Sequence, residues 1–226
     1  MSFSPLLKYL LKKYRSIDLK NTYILGALHI LPSTKNLIDA CLILGMKRSH
    51  ISLIGKCYST DSKTFLRLKK EKIDISSYSF YFDSHQSYND QYTFYIERFF
   101  REKLALIKKF RPEKLLVLDD GGFLIERVMK SFPLPCQVIA IEQTSSGLKK
   151  LESSFLPIPL IEVASSFLKK EVESGFVAKY ACTSLKKQLI SLQSHPKNCL
   201  ILGHGAIGKA VKMYLEKSFS VSVFDK

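Results

Sequence analysis

Three glycines near the end of the 226-residue chain, Gly203, Gly205 and Gly208, form G-x-G-x-x-G. An acid, Asp225, follows Gly205 by 20 residues. The run CLIL before the glycines reads as a strand, AIGKAVKMYLEK after them as a helix, and SVSVF as a second strand ending at the acid. In that setting the spacing has a physical meaning. The first glycine permits a tight turn, the second lets main-chain amides approach a pyrophosphate, and the third lets helix and strand pack closely. The helix N-terminus directs partial positive charge at the phosphates. The acid can accept hydrogen bonds from ribose hydroxyls and favours NAD over NADP. Gly203, Gly205, Gly208 and Asp225 are therefore expected to bind NAD.

A second group lies earlier. Asp119 and Asp120 end the apolar run EKLLVL and precede Gly121 and Gly122. In an open parallel sheet ligands bind at that end of the strands. The glycines allow positive φ and close backbone approach. Either aspartate could instead cap the helix FLIERVMKSF that comes next. His29 ends the first strand-like run, and Glu142, Gln143, Thr144, Ser145, Ser146 and Gly147 form a polar turn after the fifth. Three strand ends would bring His29, Asp120 and this turn to one crevice.

The elements that must position these residues alternate. Strand patterns are read at NTYILGALHI, SHISLIG, IDISSYSFYF, EKLLVLDD and CQVIAIEQ. Between them lie helical patterns: STKNLIDACLILG with a Ser/Thr cap and Gly45 at its end, DSKTFLRLKKEK, FLIERVMKSF, and a long amphipathic run over 89–110 with Phe94, Phe99 and Leu106 among its apolar positions. Strands separated by helices of this length require βαβ crossovers and a parallel sheet covered on both faces. SSFLPIPLIEV, with two prolines, suits an extended connection, and helical segments follow around 165–176 and 181–193. SHPKN then breaks the chain, which sets a domain boundary near 195. The fold class expected is α/β: a doubly wound parallel sheet over 1–195, then an incomplete Rossmann βαβ unit over 196–226. Two strands and one helix cannot bury a core alone, so a partner chain or a homo-oligomer is expected to cover 197–226.

Composition narrows the class. Hydrophobic residues make up 46% and charged residues 24%, the balance of a globular core, which excludes wholesale disorder and collagen-like repeats. No apolar run approaches a membrane span. The segment SPLLKYLLKKYRSIDL is apolar at Leu6, Leu7, Leu10 and Leu11 but broken by Lys8, Lys12 and Lys13, the pattern of a surface helix and not of a secretory core. The net charge is +15, yet basic residues are spread over both halves in pairs such as Lys69-Lys70 and Lys149-Lys150. No dedicated nucleic-acid groove is expected, although polyanions would attract the chain at low salt. Five scattered cysteines with no CxxC and no zinc spacing fit a reducing compartment, the cytoplasm, and no metal site.

With these motifs in series the chain resembles the N-terminal half of S-adenosylhomocysteine hydrolase. GALHILPSTKNLIDACLILG is similar to that family's histidine-bearing strand and helix, KCYST to its downstream loop and LDDGG to its Asp-Asp-Gly-Gly motif. EQTSSG is similar to its Glu-Glu-Thr-Thr-Thr-Gly turn, IPLIEVASSFLKKEVES to the segment leading to its lysine-bearing helix, and LGHGAIGKA to its cofactor turn. The resemblance runs from residue 24 to 226. It implies a flavodoxin-like substrate domain and a redox-assisted elimination: bound NAD oxidises the ribose 3′-hydroxyl of S-adenosylhomocysteine, homocysteine leaves, water adds, and reduction returns adenosine. It places the catalytic roles on His29, Asp120 and Lys169. Adenosine or S-adenosylhomocysteine would meet Asp120, Glu142, Gln143, Thr144 and Glu173. NAD would also meet Thr144, Ser145 and Ser146.

The chain departs from that pattern. Gln143 stands where the family has a second glutamate, Glu173 and Ser174 where it has an Asp-Asn pair, and Leu31 where it has a threonine. One methylene more or less at a contact is enough to misplace a reacting group. The expected function is therefore a divergent, non-catalytic or weakly active relative that binds a nucleoside or NAD, or only a protein partner. The alternatives are an active NAD-dependent hydrolase completed by a partner subunit, and a fragment of another NAD-dependent oxidoreductase.

Overall fold

The computed structural model describes residues 3–152 and 157–225. The chain divides into two compact units, Met1–Glu162 and Val163–Lys226. The first is a doubly wound α/β unit. Its strands are β1 (Thr22–Ala27), β2 (Ile51–Ile54), β3 (Asp74–Ile75), β4 (Lys114–Asp119), β5 (Gln137–Glu142) and β6 (Leu160–Glu162). All pair in parallel, in the order β3-β2-β1-β4-β5-β6. The order is that of a doubly wound parallel sheet, as expected. A third strand lies beyond β2, which is the order of a sheet built from two mononucleotide-binding halves. Its reversal point falls between β1 and β4.

Every residue of β1 is buried, as a strand covered on both faces must be. Side chains alternate across the sheet. Tyr23, Leu25 and Ala27 join a core with Leu115, Val117, Val138 and Ala140, covered by α4 (Tyr88–Phe110), α5 (Phe123–Met129) and α6 (Ser145–Leu151). Ile24, Leu53 and Leu118 face the other way, toward Ile38 of α2 (Pro32–Ile43) and Phe65 and Leu68 of α3 (Ser62–Lys70). On α4, Tyr92, Ile96, Phe99, Phe100 and Ile107 form the buried stripe, while Phe94 is exposed. Phe99 and Phe100 are fully buried, each contributing about 1.5–3 kcal/mol.

Three local expectations are revised. The run 73–82 keeps only two residues in the sheet, because Ser76 and Ser79 draw the backbone into a helical turn over Ser77–Phe80. Ser76 Oγ accepts from Tyr78 N at 3.3 Å, and Ser79 Oγ donates to Ser76 O at 2.6 Å. The extended connection expected over 153–163 supplies β6 at its end, and its residues 153–156 lie outside the described residues. Helix α2 starts at Pro32 and not on a Ser/Thr cap; Thr34 Oγ1, inside the first turn, lies 3.4 Å from the Leu31 amide that donates to it. The surface helix α1 (Pro5–Lys13) buries none of its side chains.

The second unit holds a two-stranded parallel sheet, β7 (Asn198–Leu202) and β8 (Ser220–Phe224), joined by α8 (Ala206–Leu215). A π-helical stretch over Leu168–Glu173 runs into α7 (Ser174–Ser191). Cys182 and Leu185 of α7 pack with Ile201, Val211 and Leu215. The division therefore comes at 162/163 and not near 195: a βαβ unit needs cover, and α7 supplies it. Among the described residues no helix is long and apolar enough to cross a membrane.

Candidate functional site

The crevice is built where β1 and β4 end side by side. Asp120 N donates to Ala27 O at 3.1 Å, which extends the β1–β4 ladder by one bond and fixes where Asp120 starts. One residue past the other strand end, Leu28 N donates to Ile54 O at 3.0 Å, and His29 comes next. His29 Nε2 then lies 3.3 Å from Asp120 Oδ2. Lys56, just past β2, places Nζ 2.7 Å from Asp120 Oδ1. Ser59 Oγ is hydrogen-bonded to His29 Nδ1, and the Tyr58 ring meets the imidazole edge-on at 5.8 Å between centroids.

Burial works to raise the Asp120 carboxyl. Hydrogen bonds from His29 and Lys56, with the charge of Lys56, outweigh it and hold the group at about 2. An ionised carboxylate only accepts, so Nε2 of His29 carries a proton; in the neutral ring Nδ1 then accepts from Ser59.

Asp119 does something different. It is fully buried, and its Oδ2 accepts from Leu124 N at 2.7 Å and Ile125 N at 2.9 Å, capping α5. Glu142 lies opposite it in register. Glu142, expected to meet substrate, is also fully buried: it accepts from Gly121 N at 3.0 Å, Gly122 N at 2.9 Å and Thr144 N at 2.8 Å. Its role is to brace the glycine turn. Burial, then the neighbouring Glu142 charge, raise Asp119 to about 7 against the pull of the main-chain donors. Gly121 and Gly122 take φ of +117° and +74°, as the turn requires. A side chain at Gly147 would overlap the Glu142 carboxylate.

The other expected residues take varied places. Thr144 caps α6 by accepting from Gly147 N at 3.0 Å, Ser145 and Ser146 are exposed on α6, and the main-chain N of Gln143 donates to Asp119 O at 3.1 Å. Lys169 and Glu173 belong to the second unit and pair with each other at 2.9 Å. In that unit Gly203 has φ +101°, and a side chain at Gly208 would overlap Gly203 O. Gly205 ends the turn as the N-cap of α8, and a Cβ there would meet nothing within 4 Å. His204 N donates to Asp225 Oδ2 at 3.0 Å, so the acid lies against the glycine turn. The residues present fit a dinucleotide pyrophosphate: open space over Gly205, a tight helix–strand contact at Gly208 and an acid beside the turn.

Sequence reading missed Lys56 and Ser59. The signal available was position: both follow the second strand at the edge that bears His29 and Asp120. Tyr92, 3% exposed, carries a hydroxyl with no partner among the described residues. Among those residues no group of three or more His, Cys, Asp or Glu could hold a metal.

Fold and crevice together define a doubly wound α/β protein with an ionic crevice at the sheet's reversal point. No protein-family model matches the chain. Uncharacterized protein MT0113 of Mycobacterium tuberculosis (strain CDC 1551 / Oshkosh) is 31% identical over 197 residues, covering 87% of this chain and 39% of its own. Uncharacterized protein Rv0104 of Mycobacterium tuberculosis (strain ATCC 25618 / H37Rv) gives the same identity and coverage. The chain thus spans 39% of the length of these curated relatives.

Proposed function

We propose that this chain is a divergent relative of S-adenosylhomocysteine hydrolase that binds a nucleoside and NAD and is non-catalytic or weakly active. The observation that carries the reading is the His29–Asp120 contact at 3.3 Å, made by residues just past the ends of two different strands at the sheet's reversal point. Asp120, ionised and flanked by two donors, is suited to accept from a sugar hydroxyl. His29 is suited to hold or pass a proton beside it.

The glycine turn of the second unit supports the NAD part, through the open space at Gly205 and the start of α8. Bound NAD would supply hydride transfer at a ribose hydroxyl. Weak or absent turnover is expected from two residues. Glu142 is consumed by the turn it braces, and Gln143 brings no charge. The localisation that suits this reading is the cytoplasm, with a partner chain or second copy over 197–226.

Calorimetry with adenosine and with NAD, beside an assay of homocysteine release from S-adenosylhomocysteine, tests the proposal. Binding of both ligands with slow or no release is expected. No heat with either ligand overturns the binding reading; rapid multiple turnover overturns the non-catalytic part.

A further inference from the structure

Ser59, His29, Asp120 and Lys56 form one line of polar contacts: Ser59 Oγ is hydrogen-bonded to His29 Nδ1, His29 Nε2 lies 3.3 Å from Asp120 Oδ2, and Lys56 Nζ donates to Asp120 Oδ1 at 2.7 Å. We infer that Ser59 is a nucleophilic hydroxyl that takes an acyl group from an activated ester, with His29 as its base.

Three features of geometry carry this. The first is order. A hydroxyl, an imidazole and a carboxylate in hydrogen-bonded series are what a serine nucleophile needs: a base within reach of the hydroxyl and an acid that orients the base. The imidazole is turned so that Nδ1 faces the hydroxyl and Nε2 the carboxylate. Either nitrogen can accept while the other donates, so the role survives the reversal.

The second is rigidity. The turn carrying Ser59 is pinned at four points. Gly55 N donates to Ser79 Oγ at 2.8 Å, Ser59 N to Lys56 O at 3.0 Å, Thr60 Oγ1 to Lys56 O at 2.9 Å and Asp61 N to Ile30 O at 2.9 Å. His29 and Asp120 are set by the ends of β1 and β4. The hydroxyl and its base are thus held by main chain on both sides, and need not find each other from flexible rotamers.

The third is access combined with charge. Ser59 is half-buried, whereas Lys56 is 6% exposed and spends its charge on Asp120. The cation keeps the buried carboxylate ionised and therefore able to hold a protonated ring.

In the step proposed, Ser59 Oγ attacks the carbonyl carbon of the ester as its proton passes to His29 Nδ1. The bond from that carbon to the leaving oxygen breaks, and the leaving alkoxide takes the proton from the ring. The chain is left as the Ser59 acyl ester, and no oxidant or reductant is needed.

The test uses the full chain and an alkyl fluorophosphonate, whose phosphorus a serine Oγ attacks with loss of fluoride. Intact mass and peptide mapping locate the adduct. One equivalent on Ser59 is expected, absent in Ser59→Ala and formed about 100-fold more slowly in His29→Ala. Circular dichroism of both variants checks that the fold is kept, and Asp120→Asn, which preserves shape, should also slow the reaction. An unmodified Ser59 in the parent chain overturns the inference, whatever the variants do. So does an equal rate in a folded His29→Ala protein. No nucleoside or NAD is present, so either result is independent of the binding reading above.

Discussion

Asp119 and Asp120 are adjacent in sequence, and their carboxylates serve different structures. Asp119 is sealed inside, capping α5 through Leu124 N and Ile125 N. Asp120 turns toward His29 and Lys56. One acid therefore holds the turn and the other is presented by it. Strand alternation produces this: consecutive side chains at a strand end point to opposite sides.

Removing the cation from the crevice should be costly. Lys56→Met leaves the Asp120 carboxylate largely buried, with side chains 7% and 15% exposed in the parent pair. A loss of about 3 kcal/mol is expected from urea unfolding, since breaking a buried pair leaves one charge uncompensated. The double variant Lys56→Met, Asp120→Asn should recover part of it. A loss under about 0.5 kcal/mol in the single variant, the size of an ordinary surface change, would contradict the pairing.

The buried Asp119, paired in register with Glu142, predicts a pH dependence. Asp119 lies at about 7 in the fold, above its ordinary value of 3.8. The native state thus holds a proton that the unfolded chain has released. Its contribution is full below the ordinary value and is lost as pH rises toward 7, by about 4 kcal/mol at most. Asp120, held low, acts only below its ordinary value, as pH falls toward 2. His50, lowered first by burial and then by Lys47, acts in the opposite sense within the upper window. Comparing the parent with Asp119→Asn between pH 4.5 and 7.5 isolates the acid. The stability difference between the two should shrink or reverse as pH rises, and a constant difference would contradict the shared burial.

Gly147→Ala tests the brace more simply. Its added methyl would overlap the Glu142 carboxylate that binds Gly121 N and Gly122 N. We expect a loss of about 1–3 kcal/mol and faster amide exchange at Gly121 and Gly122. Unchanged exchange would detach Glu142 from the turn.

Much of this was legible in the sequence. The strand runs around Ile24, Leu53, Val117 and Ala140 are apolar without alternation, the mark of a sheet covered on both faces. The glycines after Asp120 announced their turn. The illegible parts depended on contacts between distant segments. Nothing local says that Glu142 would be drawn inward by two glycine amides, or that Asp119 and not Asp120 would take the cap. Ser76 and Ser79 outcompeted a strand that β-propensity favoured. Lys56 and Ser59 looked like an ordinary polar loop until β1, β2 and β4 were aligned. The division of the chain was misplaced because SHPKN is a break in composition, whereas α7, which precedes it, packs with β7 and α8.

Gly205→Val separates cofactor binding from folding. Its backbone, at φ −67° and ψ −171°, accepts any side chain, and the space beside it is open. The variant should fold as the parent does and lose NAD binding, because valine fills the approach to the main-chain amides. Unchanged NAD affinity would reject the glycine turn as a cradle. Gly208→Val, by contrast, should unfold the second unit.

The central claim is that the crevice of His29 and Asp120 holds a nucleoside. Titration calorimetry of adenosine into the parent chain and into Asp120→Ala measures it. Saturable binding to the parent, weakened at least about tenfold in the variant, a difference of about 1.4 kcal/mol, is the predicted result. No binding to the parent, or the same affinity in both, would contradict it.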